Sequence, residues 1–124
     1  MRACYCFINF INSIRVIMPN EVIAIDGKTL RRSYLNKLDQ DTIHIVSAYA
    51  ATQGLILGQV KVKEKSGEVI AIPELLKLID FKGAFVTIDA QGCQKAIAKE
   101  IIGRGANYCL CVKKNQPKLH NYCV

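Results

Sequence analysis

Two apolar runs of this 124-residue sequence each end in an aspartate: Val22-Ile-Ala-Ile precedes Asp26, and Ala84-Phe-Val-Thr-Ile precedes Asp89. Such runs predict buried β-strands, and adjacent parallel strands deliver their C-terminal residues to the same edge of a sheet, where α/β sites form. Two carboxylates that meet there repel one another unless a proton or a cation lies between them. Oxygen ligands suit Mg²⁺ or Mn²⁺, which can activate the attacking oxygen on a phosphate substrate. Asp26 and Asp89 are therefore candidate metal ligands.

A structural role for the two aspartates is the alternative. An aspartate at the end of a strand often caps the following turn through its side chain, and both Asp26-Gly27 and the segment after Asp89 permit this. The basic residues beside them, Lys28, Arg31 and Arg32, could hold phosphates or could be an ordinary solvated surface. The pattern of residues leaves these alternatives open.

The overall charge favours a polyanionic partner. Seventeen Lys and Arg against ten Asp and Glu give a net charge of +7 and a pI near 9.2. No stretch of 18 apolar residues is present, so we expect no membrane span. No secretory signal is recognisable, so the six cysteines are expected to be free thiols in a reducing cytoplasm. Cys109 and Cys111 are predicted to share one face of a strand and to be buried.

The elements that must position these residues follow from hydrophobic periodicity. Phe7, Phe10, Ile11 and Ile14 are spaced to lie on one face of a short helix within a lead-in segment, residues 1–20. A central strand buried on both faces follows at 22–26, and a hairpin at 42–50 and 55–62. A helix with Pro73 in its first turn ends near Asp80. The remaining elements are a strand at 84–89, a helix at 93–102, a strand at 106–112 and a polar tail. We predict an α/β fold whose mixed sheet has antiparallel and parallel parts and covering helices.

Four blocks carry a family resemblance: Val22 to Ser33, Ala71 to Leu76, Val86 to Gln94, and Val112 to Pro117. In this order they resemble the H-repeat-associated insertion-sequence transposases, a branch of the DDE transposases. The similarity extends from about Cys6 to the C-terminus. It implies an RNase H-like fold, here truncated at its C-terminal side, with residues 21–124 forming part of the catalytic domain.

The resemblance also implies a reaction. Three acidic residues of the family bind two Mg²⁺ ions and drive DNA strand cleavage and strand transfer at transposon ends. Asp26 matches the first acid and Asp89 the second, whereas the third, a glutamate, is expected beyond the last strand, and Glu100 matches no catalytic position. Residues expected to contact DNA are Lys28, Arg31, Arg32, Lys113, Lys114 and Asn115.

Three further expectations follow. Because one of the three acidic residues is absent, the chain is expected to bind metal weakly and to be inactive alone. Its expected location is the nucleoid of a bacterial cytoplasm. The alternative function is a non-catalytic DNA-binding or interaction remnant, in which the +7 charge suffices and the aspartates only cap. Without later helices, one sheet face is expected to stay exposed and to favour self-association.

Overall fold

A mixed six-stranded sheet with helices on one face forms the fold. The computed structural model describes residues 2–3, 5–15, 18, 20–30, 43–62, 67–89 and 93–123. The strands are β1 (Arg2–Ala3), β2 (Val22–Leu30), β3 (Ile43–Ala50), β4 (Leu55–Val62), β5 (Phe85–Ile88) and β6 (Asn107–Leu110). The helices are α1 (Tyr5–Ile14), α2 (Glu68–Leu78), α3 (Lys95–Gly103) and α4 (Pro117–Cys123).

The sheet order is β1-β4-β3-β2-β5-β6, which confirms the predicted mixed α/β architecture. Strands β1, β4, β3 and β2 form the antiparallel part, and the β3–β4 hairpin turns at Gly54, where φ is +68°. Strands β5 and β6 run parallel to β2, and α2 and α3 make the crossovers that a parallel connection requires. β2 thus joins the antiparallel and parallel parts at the middle of the sheet.

The core lies between one sheet face and the helices. Because side chains alternate along a strand, Ile23 and Ile25 of β2 point into this core, and Val86 and Ile88 of β5 do the same. Helix α2 contributes the side chains predicted from its periodicity, which are Ile72, Leu75, Leu76 and, just beyond its end, Ile79. Ile97 and Ile101 of α3 complete the layer.

The other sheet face, which we call the open face, is not covered in the described part of the chain. Val22 is 37% exposed and Asp26 is also exposed, so the prediction that the first long strand is buried on both faces is wrong. The reason is that the residues of α1, α2 and α3 that enter the core all pack on the same side of the sheet. On β2 to β5, the residues of the open face are therefore exposed or partly exposed.

Helix α1 forms where predicted but buries a different face. Ile8 and Ile11 are buried, whereas Phe7, Phe10 and Ile14 are 40%, 58% and 54% exposed. The predicted stripe contributes only Ile11 to the core, and polar contacts also hold the helix in place. Asn12 Nδ2 donates to the carbonyl of Leu78 at 3.1 Å, and Arg15, which follows the helix, is buried beside Glu21.

Two helix boundaries differ from the predictions. Pro73 lies inside α2 rather than in its first turn, because the helix begins five residues earlier, at Glu68. The predicted polar tail contains α4, none of whose residues is buried, so its hydrophobic pattern gave little signal. Among the described residues, no helix combines the length and the apolar character that a membrane crossing demands.

Candidate active site

Asp26 and Asp89 are neighbours across two parallel strands. Ile25 of β2 pairs in register with Ile88, the last residue of β5. Asp26 is the next residue of β2, and Asp89 is the residue directly after β5. Paired strands lie about 4.8 Å apart, and this is the spacing at Ile25 and Ile88, the pair immediately before the two aspartates. Both aspartates are exposed, and Asp26 points to the open face because Ile25 points to the core. Topology thus brings two carboxylates 63 positions apart to one level of the sheet.

Asp26 lies inside a strand and not at its end. It is the fifth residue of the nine in β2, which continues to Leu30 paired with β3. Asp26 therefore caps no turn or helix, because extended backbone follows it directly. The predicted strand, 22–26, was too short since the polar residues after Asp26 gave no hydrophobic signal, although they belong to the antiparallel ladder.

Lys28 lies on the same face as Asp26, two residues further along β2. Its side chain is exposed, as period-two alternation requires. Arg31 and Arg32, which follow β2, lie outside the described residues. Within the described residues, Lys28 thus places a positive charge beside Asp26.

The segment Lys113, Lys114 and Asn115 leaves the sheet at the same edge as Asp89. It follows β6, which is parallel to β5, and all three residues are exposed. The backbone N–H of Gln116 donates to the carbonyl of Lys113 at 3.0 Å, which closes a turn. The Gln116 side chain donates to the Cys93 carbonyl at 2.9 Å and so ties this turn to the start of α3.

The donor set at this edge fits one hard divalent cation. Mg²⁺ is commonly bound by one or two carboxylates and keeps several waters, positions that substrate phosphates can take. In the described part of the chain, no three His, Cys, Asp or Glu side chains are close enough to form a metal cluster. Glu100 is elsewhere, on α3, where its Oε1 accepts from Arg104 at 3.2 Å, in agreement with its having no site role.

Two features of the site region were not found from the sequence. Cys109 and Cys111 share a face as predicted, but both are exposed, so the prediction that they are buried is wrong; their face is the open one. Ser47 lies directly opposite Asp26 on β3. The sequence pattern of the hairpin predicts that β3 pairs with β4. It does not predict the register of β3 against β2, and that register places Ser47 opposite Asp26.

Relatives with known names share most of this chain. The family model described as "Transposase DDE domain" matches residues 18–121. Two H repeat-associated putative transposases of Escherichia coli K12 are similar to this chain. YhhI is 46% identical over 93% of the chain, and YbfD is 43% identical over 92% of it. The chain spans 30% of YhhI and 45% of YbfD, which is less than half the length of either relative.

Solved structures agree on the fold. The piggyBac transposase, in a synaptic complex with hairpin DNA, matches 82% of this chain and 25% of its own with a TM-score of 0.55. The HTLV-2 integrase catalytic core domain, in complex with magnesium, matches 86% of this chain and 70% of its own with a TM-score of 0.52. Both are 14% identical, so the likeness concerns the fold, which is RNase H-like. The chain belongs to the DDE transposase family.

Proposed function

We propose that this chain forms the metal-binding core of a transposase that cleaves DNA strands at transposon ends and transfers them. The observation that carries the proposal is that two exposed aspartates, Asp26 and Asp89, directly follow Ile25 and Ile88, which pair on adjacent parallel strands. Family membership supports it, as do the DNA complex of the piggyBac transposase and the magnesium complex of the HTLV-2 integrase core. The core consists of residues 21–124, with residues 1–20 as a lead-in segment.

Each candidate residue has a defined task in this proposal. Asp26 and Asp89 would hold Mg²⁺ or Mn²⁺, with two ions expected in the complete enzyme. When bound, such ions activate the attacking oxygen and stabilise the leaving oxygen of a phosphate. The basic and amide side chains hold the DNA backbone in position through its phosphates, and these are Lys28, Arg31, Arg32, Lys113, Lys114 and Asn115.

We further propose that the chain alone binds metal weakly and cleaves DNA poorly. The family resemblance implies three acidic ligands, and this sequence supplies matches for two of them. A two-ion site that lacks one carboxylate ligand cannot stabilise both the attacking and the leaving oxygen of the scissile phosphate. Loss of a direct metal ligand is therefore expected to lower the rate of DNA cleavage by orders of magnitude. DNA is the proposed partner, at the nucleoid of a bacterial cytoplasm.

Metal binding tests this function directly. Titration of the full chain with Mn²⁺, followed by electron paramagnetic resonance of the free ion, is expected to reveal weak binding. Asp26→Asn and Asp89→Asn should each weaken that binding at least about tenfold. Glu74→Gln is the matched control, because Glu74 is an exposed carboxylate on α2, on the helix-covered side of the sheet.

Several results would oppose the proposal. If the wild-type chain and the Asp26→Asn, Asp89→Asn and Glu74→Gln variants bound Mn²⁺ equally, the proposed metal site would be refuted. If salt-dependent DNA binding also survived both aspartate substitutions without any metal effect, the non-catalytic remnant would be the better function. Robust Mn²⁺-dependent nicking by the chain alone, abolished by Asp26→Ala, would instead refute its proposed inactivity.

Self-association is proposed on the basis of the open face. Four apolar residues on it, Val22, Tyr49, Ile56 and Phe85, are 37% to 42% exposed, and we call them the apolar patch. Tyr49 pairs with Ile56, and Val22 with Phe85, so these side chains adjoin in two pairs. Covering apolar surface of this kind is favourable, which supports contact between the apolar patches of two copies.

A further inference from the structure

A row of polar residues continues from Asp26 across the open face. Asp26 pairs with Ser47 of β3, and Ser47 pairs with Gln59 of β4. Because residues directly opposite each other project from the same face, the three lie side by side. Gln59 Nε2 donates to Ser47 Oγ at 3.3 Å, which leaves the second amide hydrogen available to a ligand.

The next row of the sheet carries two lysines. Lys28 pairs with Ile45, and Ile45 pairs with Lys61, so the lysines lie two strand spacings apart, or about 10 Å between Cα atoms. Both side chains are exposed. Among the described residues, neither lysine forms an ion pair. Two ammonium groups thus face solvent immediately beside the row that contains Asp26.

We propose that Ser47, Gln59 and Lys61, here called the polar strip, bind phosphates of the DNA strand whose reacting phosphate lies at Asp26 and Asp89. Lysine ammonium groups are suited to phosphate as compact charges, and hydroxyl and amide groups commonly contact backbone oxygens. The strip and Lys28 extend the site from the β2–β5 edge over β3 and β4. This inference rests on the proposed function, because it takes DNA as the substrate.

The strip predicts two distinguishable mutational effects. Each ammonium–phosphate contact releases counterions, so Lys61→Ala should weaken DNA binding several-fold and reduce the slope of log K against log salt by about 0.9. Gln59→Ala removes a neutral donor, and it should weaken binding about twofold or more while leaving the slope unchanged. The readout is fluorescence anisotropy of a labelled duplex with the full chain, in a chelator, over a series of salt concentrations.

Lys77→Ala is the matched control. Lys77 is an exposed lysine on α2, on the helix side of the sheet, and its loss changes the net charge by the same amount. It should leave affinity and slope close to wild type. Urea unfolding of each variant verifies that the fold is intact, because all substituted side chains are exposed and should shift the midpoint little.

The outcomes separate this inference from the proposed function. If Lys61→Ala and Lys77→Ala have equal effects, or if the folded chain binds no DNA, the polar strip is overturned whatever the Mn²⁺ titration gives. If Lys61→Ala alone reduces affinity and slope, the strip stands. If the chain then also lacks Mn²⁺ binding, the metal core fails and the strip remains as a DNA-binding surface.

Discussion

Arg15 and Glu21 form an ion pair of 2.6 Å whose two side chains are almost completely excluded from water. The other terminal nitrogen of Arg15 donates to the carbonyl of Asp80. The guanidinium therefore joins three segments: the residue after α1, the residue before β2 and the loop before β5. Among the described groups, Arg15 Nε and Glu21 Oε1 have no hydrogen-bond partner.

Breaking this pair from one side should be costly. Arg15→Met or Glu21→Gln leaves a buried charge without its partner and is expected to lower the free energy of unfolding by about 3–5 kcal/mol. The double variant Arg15→Met/Glu21→Gln leaves no such charge, and should cost less than the sum of the single changes. Urea unfolding measures all three, with Glu100→Gln as the control, because its partly exposed i,i+4 pair is worth at most about 0.5 kcal/mol. Additive single effects would contradict the coupling.

Gly58 of β4 lies beneath side chains of both α1 and α2. A Cβ at this position would lie 3.1 Å from Leu75 Cδ1 and 3.2 Å from Ile8 Cγ1. Gly58→Ala is expected to lower the free energy of unfolding by about 1–3 kcal/mol, because the core would be overpacked. Gly103→Ala is the control: it meets nothing within 4 Å at the end of α3 and should raise stability by up to about 1 kcal/mol. Thermal unfolding of both variants measures these changes in stability. If Gly58→Ala left the stability unchanged, the side chains of α1 and α2 would be able to move away from the added methyl group.

The described cysteines should differ in reactivity. Cys109 and Cys111 are exposed on the open face, whereas Cys93 is buried, so an alkylating reagent should modify the first two rapidly and Cys93 only when the protein opens. Mass spectrometry of peptides from timed samples measures each site separately. Labelling of Cys93 as fast as Cys109 would place it outside the core. Slow labelling of Cys109 and Cys111 at concentrations where the chain self-associates would instead indicate a covered open face.

The apolar patch should control self-association. Ile56→Thr combined with Phe85→Thr removes two of its exposed apolar side chains and should shift the chain toward the monomer, raising the dissociation constant about tenfold or more. Sedimentation velocity over a concentration series measures this. Ile70→Thr is the control, since Ile70 is 64% exposed on α2, away from the open face. A wild-type chain that stays monomeric at micromolar concentration would refute the proposed association.

The sequence predicted the fold well where patterns were local. The β3–β4 hairpin and the buried stripe of α2 follow from side-chain periodicity, which reports one face of one element at a time. The same reasoning failed for α1, whose more apolar face is exposed while Ile8 and Ile11 are buried. The choice between its faces depends on polar partners distant in the chain, such as the Leu78 carbonyl that accepts from Asn12.

The candidate site divides in the same way. Residue types alone predicted Asp26 and Asp89 as candidate oxygen ligands near basic loops, and the family blocks favoured the same pair. That the two lie at one level rests on the parallel register of β2 with β5, and the positions of Ser47 and Gln59 rest on the antiparallel register with β3 and β4. The exposure of Cys109 and Cys111 likewise depends on which sheet face the helices cover. Strand register, and the choice of which sheet face is buried, are set by contacts between segments distant in the chain. The sequence therefore determined the chemistry of the side chains, whereas only the tertiary structure decided which of them lie next to one another.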